Sequence, residues 1–188
     1  MLKDIVETIR TRRSVREYTD EPVSDDDIKF LIDCARYAPF GSMQQPWSFL
    51  VITNKEIMHM LSESGKKGMI SILEPIKNIS KQSYDYLVSL KDIFYNAPVL
   101  IIIFGNKNVL SSVIDCSMAA QNMMLAAHSR GIGSCWIGNA MPALMDEKIL
   151  KELGALAGYK AIAPLIFGYP KGKTIMPERI EPEVKWLR

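Results

Sequence analysis

A run of apolar residues near the middle of the chain places the strongest constraint on the fold. Residues 98–104 read Pro-Val-Leu-Ile-Ile-Ile-Phe without a polar position, and Gly105, Asn106 and Lys107 follow them. A strand with one face in water alternates apolar and polar residues, whereas a strand covered on both faces does not. The run is also far shorter than the roughly 20 apolar residues of a membrane-spanning helix. The sequence therefore predicts a central strand with a layer of structure on each face, and no membrane span.

Other runs of β-branched and aromatic residues predict the remaining strands. Residues 48–53 read Ser-Phe-Leu-Val-Ile-Thr and are bounded by Pro46 and Asn54. Residues 159–167 form the last apolar strand. Residues 134–138 are typical of a short strand or turn.

Apolar residues recur at helical spacing in the segments between the strands. The second helix opens with Ser24 as a capping residue and ends at Pro39. The first helix is expected to carry an arginine cluster in its last turn. The longest is expected to run from residue 109 to 130, with small side chains that let another helix approach. The other predicted helices span residues 2–13, 55–64 and 142–153.

Residues 65–92 are harder to assign. Gly65, Gly68 and Pro75 interrupt a mixture of polar and apolar residues. Tyr84 and Leu87 indicate one further helix within the segment. We interpret residues 65–92 as a mobile excursion from the fold.

The sequence after Tyr169 is rich in proline and charge and has no core of its own. Residues 170–188 are therefore predicted to form an extended tail that lies on another surface, such as a second subunit. No internal repeat, linker or low-complexity segment divides the chain. We expect a single domain over residues 1–188, long enough to bury roughly 70% of its unfolded surface.

Charge and cysteine content limit the possible functions and compartments. The 188 residues include 23 Lys and Arg against 21 Asp and Glu, a net charge of +2. Basic groups in such a chain act locally, so nucleic-acid binding becomes a minor hypothesis. Three cysteines, an odd number without CxxC spacing, argue against a disulfide framework and for a reducing compartment. Because the sequence also opens without a secretory signal, we expect a cytoplasmic location.

Two basic clusters lie far apart in the sequence. Residues 12–16 read Arg-Arg-Ser-Val-Arg, and the second cluster comprises Lys171, Lys173 and Arg179. Guanidinium groups offer planar forked donors that match phosphate oxygens, and a serine hydroxyl adds a further donor. The clusters suggest one anion held between the termini. Taken alone, the first could be a solvated helix end, and Lys171 and Lys173 could be solvated tail charges.

Other candidates for chemistry are poor. His59 and His128 have no acid or nucleophile at recognisable spacing, and the three aspartates at 25–27 open a helix rather than form a metal site. Cys135 has apolar flanks, which raise the pKa of a thiol, so we expect a buried core residue. No zinc or iron–sulfur spacing occurs in the sequence. The sequence therefore names no metal ligand and no catalytic acid or base.

Five motifs are spaced along the whole chain. They are Arg-Arg-Ser-x-Arg at 12–16, Ala-Pro-x-Gly with Gln-Pro-Trp at 38–47, Gln-Asn at 121–122, Gly-Ser-Cys-Trp-Ile-Gly at 133–138 and Gly-Tyr-Pro at 168–170. In this order they resemble the nitroreductase family of flavin mononucleotide (FMN) enzymes. The resemblance implies an α+β fold with a central, mostly antiparallel sheet flanked by helices. It also implies an intertwined homodimer that binds two FMN molecules at its interface.

The same resemblance assigns cofactor roles to the basic residues. It implies that Arg12, Ser14 and Arg179 hold the FMN phosphate, while Arg13 and Arg16 lie toward the pyrimidine edge of the ring. Two-electron reduction leaves negative charge near N1 of the ring, and a guanidinium there raises the reduction potential. Arg16 is therefore the expected tuner of that potential.

Two further segments are implied to flank the ring. Ile137, Gly138 and Asn139 correspond to the family segment whose backbone N–H groups meet N5 and the neighbouring carbonyl, and Gly138 permits a close approach. The other segment is implied to come from the partner subunit and supplies Pro39, Phe40, Gly41 and Met43.

The chain departs from the family pattern at two of these positions. Phe40 stands where the family commonly has Ser, and Met43 where it has Asn, so two polar contacts to FMN are missing. Backbone groups could substitute for them, and aromatic and thioether side chains could pack on the ring or the ribityl chain. Phe40 could equally fill core.

The resemblance implies an oxidoreductase with ping-pong chemistry. NADH or NADPH would deliver hydride to flavin N5 and leave, and a planar acceptor such as a nitroaromatic or a quinone would replace it on the same ring face. One alternative is a specialised relative, a dehalogenase or enoate reductase, in which residues 65–92 form a lid that clamps substrate with Tyr84, Tyr86 or Lys81. Another is a flavin-binding or storage protein without turnover.

Overall fold

One four-stranded antiparallel sheet lies at the centre of the molecule. The computed structural model describes residues 4–41, 43–78, 80–172 and 174–188. All three neighbouring strand pairs are antiparallel. In these residues the strands, in the spatial order β1-β2-β4-β3, are β1 (Trp47–Ile52), β2 (Val99–Asn106), β3 (Gly133–Trp136) and β4 (Tyr159–Gly168).

Helices cover both faces of this sheet, which confirms the α+β fold. They are α1 (Ile5–Thr11), α2 (Asp25–Arg36), α3 (Lys55–Leu73), α4 (Lys81–Ser89), α5 (Ser112–Ser129), α6 (Met141–Leu144) and α7 (Glu147–Glu152). Alternate residues of β2 enter different layers. Ile101 and Ile103 pack in the core with α2 and α5, and Leu100 and Ile102 pack in the core with α3 and α6. None of the helices in the described part of the chain is long and apolar enough to cross a membrane.

A capping pair fixes the start of α2. The hydroxyl of Ser24 accepts from the backbone N–H of Asp27 at 3.1 Å and donates to the Asp27 carboxylate at 2.7 Å. Arg130, at the end of α5, donates to the same carboxylate at 2.6 Å and lies 3.5 Å from the centre of the Phe30 ring. The hydrogen bonds from Ser24 and Arg130 lower the pKa of Asp27. Asp27 therefore joins the start of α2 to the end of α5.

Replacing Asp27 with asparagine is expected to lower the free energy of unfolding at pH 7 by about 0.5–1 kcal/mol, the size of a partly exposed ion pair. Because the folded pKa lies below the unfolded value of about 3.9, the carboxylate stabilises the fold above that value. The contribution disappears as the pH falls through the folded pKa. Urea unfolding at pH 7 and pH 3 should show a larger difference from wild type at pH 7 than at pH 3. Asp26→Asn, which removes an exposed pair with Lys29, should change little at either pH.

Some predicted helix boundaries are wrong. α1 ends at Thr11, so Arg12 and Arg13 follow the helix instead of lying in its last turn. The helix predicted over residues 142–153 is broken into α6 and α7, because the Asp146 side chain accepts from the N–H groups of Lys148 and Ile149 and starts a new helix. Residues 1–3 of the first predicted helix lie outside the described residues.

The helix predicted over residues 55–64 continues to Leu73, and α3 rather than α5 is the longest described helix. Gly65 and Gly68 lie inside it. A Cβ at Gly65 would lie 2.8 Å from the Asn139 carbonyl oxygen, and a Cβ at Gly68 would lie 2.4 Å from Pro142 Cβ. The glycines therefore serve close packing of α3 against residues 139–142 rather than ending the helix.

Replacing Gly65 with alanine is expected to destabilise the fold by about 1–3 kcal/mol, although alanine normally favours a helix. The added methyl group would meet backbone atoms of Asn139 and Ala140, which must shift. Urea unfolding should show a lower midpoint with an unchanged slope. Ser71→Ala, at an exposed position of the same helix, should be neutral or slightly stabilising, and an equally neutral Gly65→Ala would contradict the packing explanation.

The segment 65–92 is largely helical. It holds the end of α3, a short turn over Glu74–Ile76 and α4, so the helix indicated by Tyr84 and Leu87 is present. Lys66 ties the end of α4 back to α3, since its ammonium group donates to the Leu90 carbonyl oxygen and, at 3.2 Å, to that of Val88. Mobility of the segment stays a prediction.

The described part of the tail, residues 174–188, contains no helix or strand, and each of its residues is exposed. Its large apolar side chains include Ile175, Ile180 and Trp186. The extended form of the tail and its contact with another surface stay predictions. Lys173 lies outside the described residues.

Candidate functional site

The segment after α1 is paired with β3 and with the residues that begin the tail. Ser14 forms a parallel bridge with Ser134, and the Val15 N–H donates to the Ser134 carbonyl at 3.0 Å. The Thr19 N–H donates to the Tyr169 carbonyl at 2.9 Å. The structure thus places the start of the tail beside the first basic cluster.

Two glycines permit this close pairing. A Cβ at Gly133 would lie 2.8 Å from Val15 Cγ2, and a Cβ at Gly168 would lie 2.7 Å from Tyr18 Cδ1 and 2.6 Å from Pro98 Cδ. Any side chain at either glycine would push the 15–18 segment away from the sheet. The glycines of two sequence motifs therefore help to position the basic residues.

Arg12 is a partly buried cation, and the described residues supply it with no counter-ion. Its Nη1 atom is buried and has no hydrogen-bond partner among the described residues. Burial lowers the pKa of Arg12, nearby Cys135 raises it, and the positive charges of Arg13 and Arg179 lower it further. A buried guanidinium N–H without an acceptor is costly, and neighbouring cations add to that cost. An anion with several acceptor oxygens would relieve both.

The other members of the first cluster have partners within the chain. One nitrogen of Arg13 donates to the carbonyl oxygens of Arg10 and Arg12, at 2.7 and 2.6 Å, so its guanidinium lies against the end of α1. The Ser14 side chain is exposed and hydrogen-bonds Cys135. Ser134, which pairs with this segment, has a buried hydroxyl without a partner among the described residues. Sequence reasoning missed Ser134 as a possible donor.

Arg16 lies at a cavity of about 840 Å³ that Tyr95, Lys91 and Lys171 also line. Burial lowers the pKa of Arg16, but Cys135, Tyr95 and Tyr86 together raise it by more. The structure therefore separates Arg16 from Arg12: one guanidinium is bordered by tyrosine hydroxyls, the other by cations.

Residues 137–139 turn sharply after β3. The Ile137 N–H donates to the Pro164 carbonyl at 2.9 Å, and a short helical turn spans Gly138–Ala140. A Cβ at Gly138 would meet nothing within 4 Å, so space is open beside it. Asn139 lies against Gly65 of α3. The glycine at 138 thus leaves its backbone accessible.

The loop that precedes β1 is anchored to the start of α5. The Gly41 N–H donates to both carboxylate oxygens of Asp115 at 3.2 and 3.3 Å, and Ser111 donates to the same group at 2.7 Å. Phe40 packs edge-on against Trp47, with ring centres 5.7 Å apart. Sequence reasoning missed Asp115, whose only signal was a carboxylate in the first turn of a helix.

The side chains of this loop face outward. Met43 is 96% exposed and has a backbone φ of 54°, and Pro39 and Phe40 are also exposed. The Phe40 ring thus packs on Trp47 without being buried in the core. Ser42 lies outside the described residues. The loop therefore exposes apolar side chains at the surface of the single chain.

The three cysteines are free. Burial raises the pKa of Cys116 to about 12. Burial also raises the pKa of Cys135, although Arg16, Ser14 and Arg12 partly oppose the shift. Neither thiol is therefore an activated nucleophile, in agreement with the core role predicted for Cys135.

Comparison with known proteins identifies the family. Residues 9–169 match the profile of the nitroreductase family, and the chain belongs to that family. It is 30% identical to a putative NADH dehydrogenase/NAD(P)H nitroreductase of Archaeoglobus fulgidus over 98% of this chain and 100% of the relative. A crystal structure of a nitroreductase with bound FMN from Bacteroides fragilis is 27% identical, with a TM-score of 0.77, over 96% of this chain and 95% of the other. Human iodotyrosine deiodinase 1 is 25% identical over 94% of this chain and 64% of its own length.

Proposed function

We propose that this protein is an FMN-dependent oxidoreductase that takes electrons from NADH or NADPH and passes them to a small planar acceptor, such as a nitroaromatic or a quinone. The observation that carries the proposal is the buried Nη1 of Arg12, which has no hydrogen-bond partner in the described part of the chain and lies amid the charges of Arg13 and Arg179. The phosphate of FMN is dianionic and offers three acceptor oxygens, so the donor set fits it. Membership of the nitroreductase family and the printed names of the relatives support the same assignment.

The residues would divide the work of binding. Arg12, Arg179 and Ser14 would hold the phosphate, and Arg16 would lie toward the pyrimidine edge of the ring. The backbone at Gly138, with open space beside it, would allow the ring to approach closely. Bound FMN would supply hydride transfer through N5, so the chain itself needs no catalytic acid or base. Its side chains bind, orient and set the electrostatic field.

We place each FMN between two subunits of a homodimer. Gly41 is bonded to Asp115 near the start of α5, whereas Thr11, next to Arg12, is bonded to His128 near its end. His128 lies thirteen positions after Asp115 along the helix, a rise of about 20 Å. The 39–43 loop therefore lies far from the Arg12 cluster of its own chain, which favours a contact with the cluster of a second chain.

Exposed apolar surface supports the dimer. Ile5 and Ile9 on α1 and Ile114 on α5 are each more than half exposed, as is Trp186 in the tail. Exposed apolar patches mark contact surfaces in soluble proteins, and we propose that these side chains belong to one. A partner subunit would cover these side chains and the exposed loop together.

A dehalogenase-like function is the second candidate, favoured by the similarity to iodotyrosine deiodinase 1. It predicts a lid whose tyrosines are available to an anionic substrate. In this structure the Tyr86 hydroxyl bonds that of Tyr95 at 2.8 Å, and Tyr84 hydrogen-bonds Glu74. Both hydroxyls are engaged within the chain, which favours the general reductase.

We also propose a cytoplasmic location. Its support is the odd number of cysteines together with the absence of a disulfide among Cys34, Cys116 and Cys135, all of which lie in the described residues. Labelling of all three thiols in unfolded protein taken directly from cells would agree with this location.

The first test is colour. The purified protein should be yellow or should acquire flavin absorbance with added FMN; a colourless protein that shifts nucleic acid in a salt-sensitive way would instead support the nucleic-acid alternative. Anaerobic addition of NADPH and then NADH should bleach the flavin within seconds. Stable FMN binding without bleaching would support a storage protein and contradict the reductase. Reoxidation by a quinone or a nitroaromatic, but not by a saturated analogue, would support the acceptor class.

A further inference from the structure

A strained turn lies between α4 and β2. Tyr95 and Asn96 both have a backbone φ of 55°, in the left-handed region that side chains other than glycine rarely adopt. Each such residue is strained and persists only where its surroundings fix it. Two in succession call for a local cause.

Asp92 and Ser62 supply that cause. One oxygen of the Asp92 carboxylate accepts the Phe94 N–H at 2.9 Å and the Ser62 hydroxyl at 2.6 Å, and the other accepts the Asn96 N–H at 2.7 Å. The Ser62 oxygen in turn accepts the Ile93 N–H at 3.0 Å. Ser62 belongs to α3 and is fully buried. The turn is therefore clamped to a rigid helix.

The clamped turn holds the Tyr95 hydroxyl between two partners. It lies 2.8 Å from the Tyr86 hydroxyl of α4, and the Tyr95 side chain hydrogen-bonds Arg16. Burial and the Tyr86 bond raise the pKa of Tyr95, so the phenol is neutral at physiological pH. Because a guanidinium only donates, Tyr95 accepts from Arg16. The hydroxyl groups of Tyr95 and Tyr86 share a second hydrogen bond, in which either can be the donor.

We propose that Tyr95 is a positioning residue that fixes the direction of the Arg16 guanidinium, and that Tyr86 makes this direction depend on the docking of α4. The inference rests on the proposed function, in which Arg16 faces the pyrimidine edge of FMN. A long arginine side chain at an exposed position loses rotamer freedom only if something holds it. Tyr95 holds the Arg16 side chain, and Asp92 in turn holds the left-handed backbone at Tyr95 and Asn96 in place. Departure of α4 would remove the Tyr86 hydroxyl that hydrogen-bonds Tyr95 and loosen the contact between Tyr95 and Arg16.

Tyr95→Phe and Tyr86→Phe test this inference, with Tyr84→Phe as the matched control. Tyr84 lies on the same helix, but its hydroxyl bonds Glu74 instead of the Arg16 network. All three proteins should still bind FMN, because the phosphate cluster is intact. The readouts are the two-electron midpoint potential of the bound FMN and the dissociation constant for FMN, measured by fluorescence quenching.

Tyr95→Phe should weaken the preference for reduced over oxidised FMN by about tenfold, the size of one hydrogen bond to a charged group. That factor equals a fall of about 30 mV in the two-electron potential. Tyr86→Phe should lower the potential by less and in the same direction, and Tyr84→Phe should leave it unchanged. In an Arg16→Ala background the Tyr95→Phe effect should vanish, because the two changes remove one interaction. A merely structural role for Tyr95 would leave its effect the same in both backgrounds.

Failures of the two proposals are distinguishable. A wild-type protein that takes up no FMN overturns the proposed function and this inference with it. A protein that binds FMN, but whose potential is unchanged by Tyr95→Phe or is changed equally with and without Arg16, overturns the inference alone. If Tyr95→Phe does not fold, Tyr86→Phe, at an exposed position, carries the test, and an unchanged potential there overturns the link to α4.

Discussion

Replacing Arg12 with alanine is expected to release FMN from the protein. The substitution removes a charge-assisted contact to phosphate worth about 1.5–3 kcal/mol, so the dissociation constant should rise by about tenfold to 150-fold. Nη1 of Arg12 is buried, and none of the residues that the structure describes hydrogen-bonds it or would compete with the phosphate for that atom. Flavin absorbance per protein after gel filtration, together with fluorescence titration of the protein freed of FMN, would measure the loss.

The same substitution should leave the stability of the FMN-free protein unchanged or higher. Burial and the charges of Arg13 and Arg179 already disfavour a cation at this position, so removing it relieves repulsion. Arg10→Ala is the matched control, because Arg10 is exposed in the last turn of α1 and only its carbonyl takes part in the cluster. Loss of FMN with both variants would indicate a general electrostatic effect, and retention with Arg12→Ala would refute the phosphate assignment.

The sheet was predictable because burial leaves a direct trace in sequence. A strand covered on both faces cannot carry polar residues, and residues 98–104 carry none; β2 is indeed buried from Val99 to Gly105. The capped start of α2 was equally readable, since Ser24 and the acidic residues after it act on backbone groups within one turn. Both features depend on neighbours in the sequence or on the strand's own composition.

α3 was predicted too short because the role of a glycine depends on what packs against it. In the sequence alone Gly65 resembles a helix breaker. In the structure its lack of a side chain makes room for the backbone of Asn139 and Ala140. Those contacts join residues more than 70 positions apart, and local sequence carries no record of them. The energy gained by packing offsets the lower helix propensity of glycine.

The candidate site also contains some residues that the sequence predicts and others that it does not. Arg12 and Arg179 could be paired from sequence through the family resemblance, and the structure places their charges close together. Tyr95 could not be found, because its position depends on the left-handed turn that Asp92 and Ser62 hold. A tyrosine followed by asparagine has no sequence signature for that geometry. Residues defined by tertiary hydrogen bonds are therefore the ones that sequence reasoning missed.

Ending the chain after Gly172 is expected to give a folded protein that is monomeric and binds no FMN. Every described residue of 174–188 is exposed in the single chain, so the sheet and its helices lose no core when the tail is removed. The truncation deletes Arg179, whose charge reaches Arg12, and the apolar side chains Ile180 and Trp186, which we expect to lie on the partner subunit. Light scattering after gel filtration, flavin absorbance and circular dichroism would measure mass, cofactor and fold separately.

Two further variants separate the two proposed roles of the tail, which are phosphate binding and contact with the partner subunit. A chain that ends after Glu183 keeps Arg179 and Ile180 but loses Trp186, so it should dimerise more weakly and still bind FMN when concentrated enough to dimerise. Full-length Arg179→Ala should do the reverse, keeping the dimer and losing FMN affinity. A dimer that survives truncation after Gly172 would show that α1, α5 and the 39–43 loop suffice for association, which would contradict the role of the tail. If all three variants show the same mass and the same FMN binding, the proposed roles are contradicted. Those roles are phosphate binding by Arg179 and contact with the partner subunit by the residues after it.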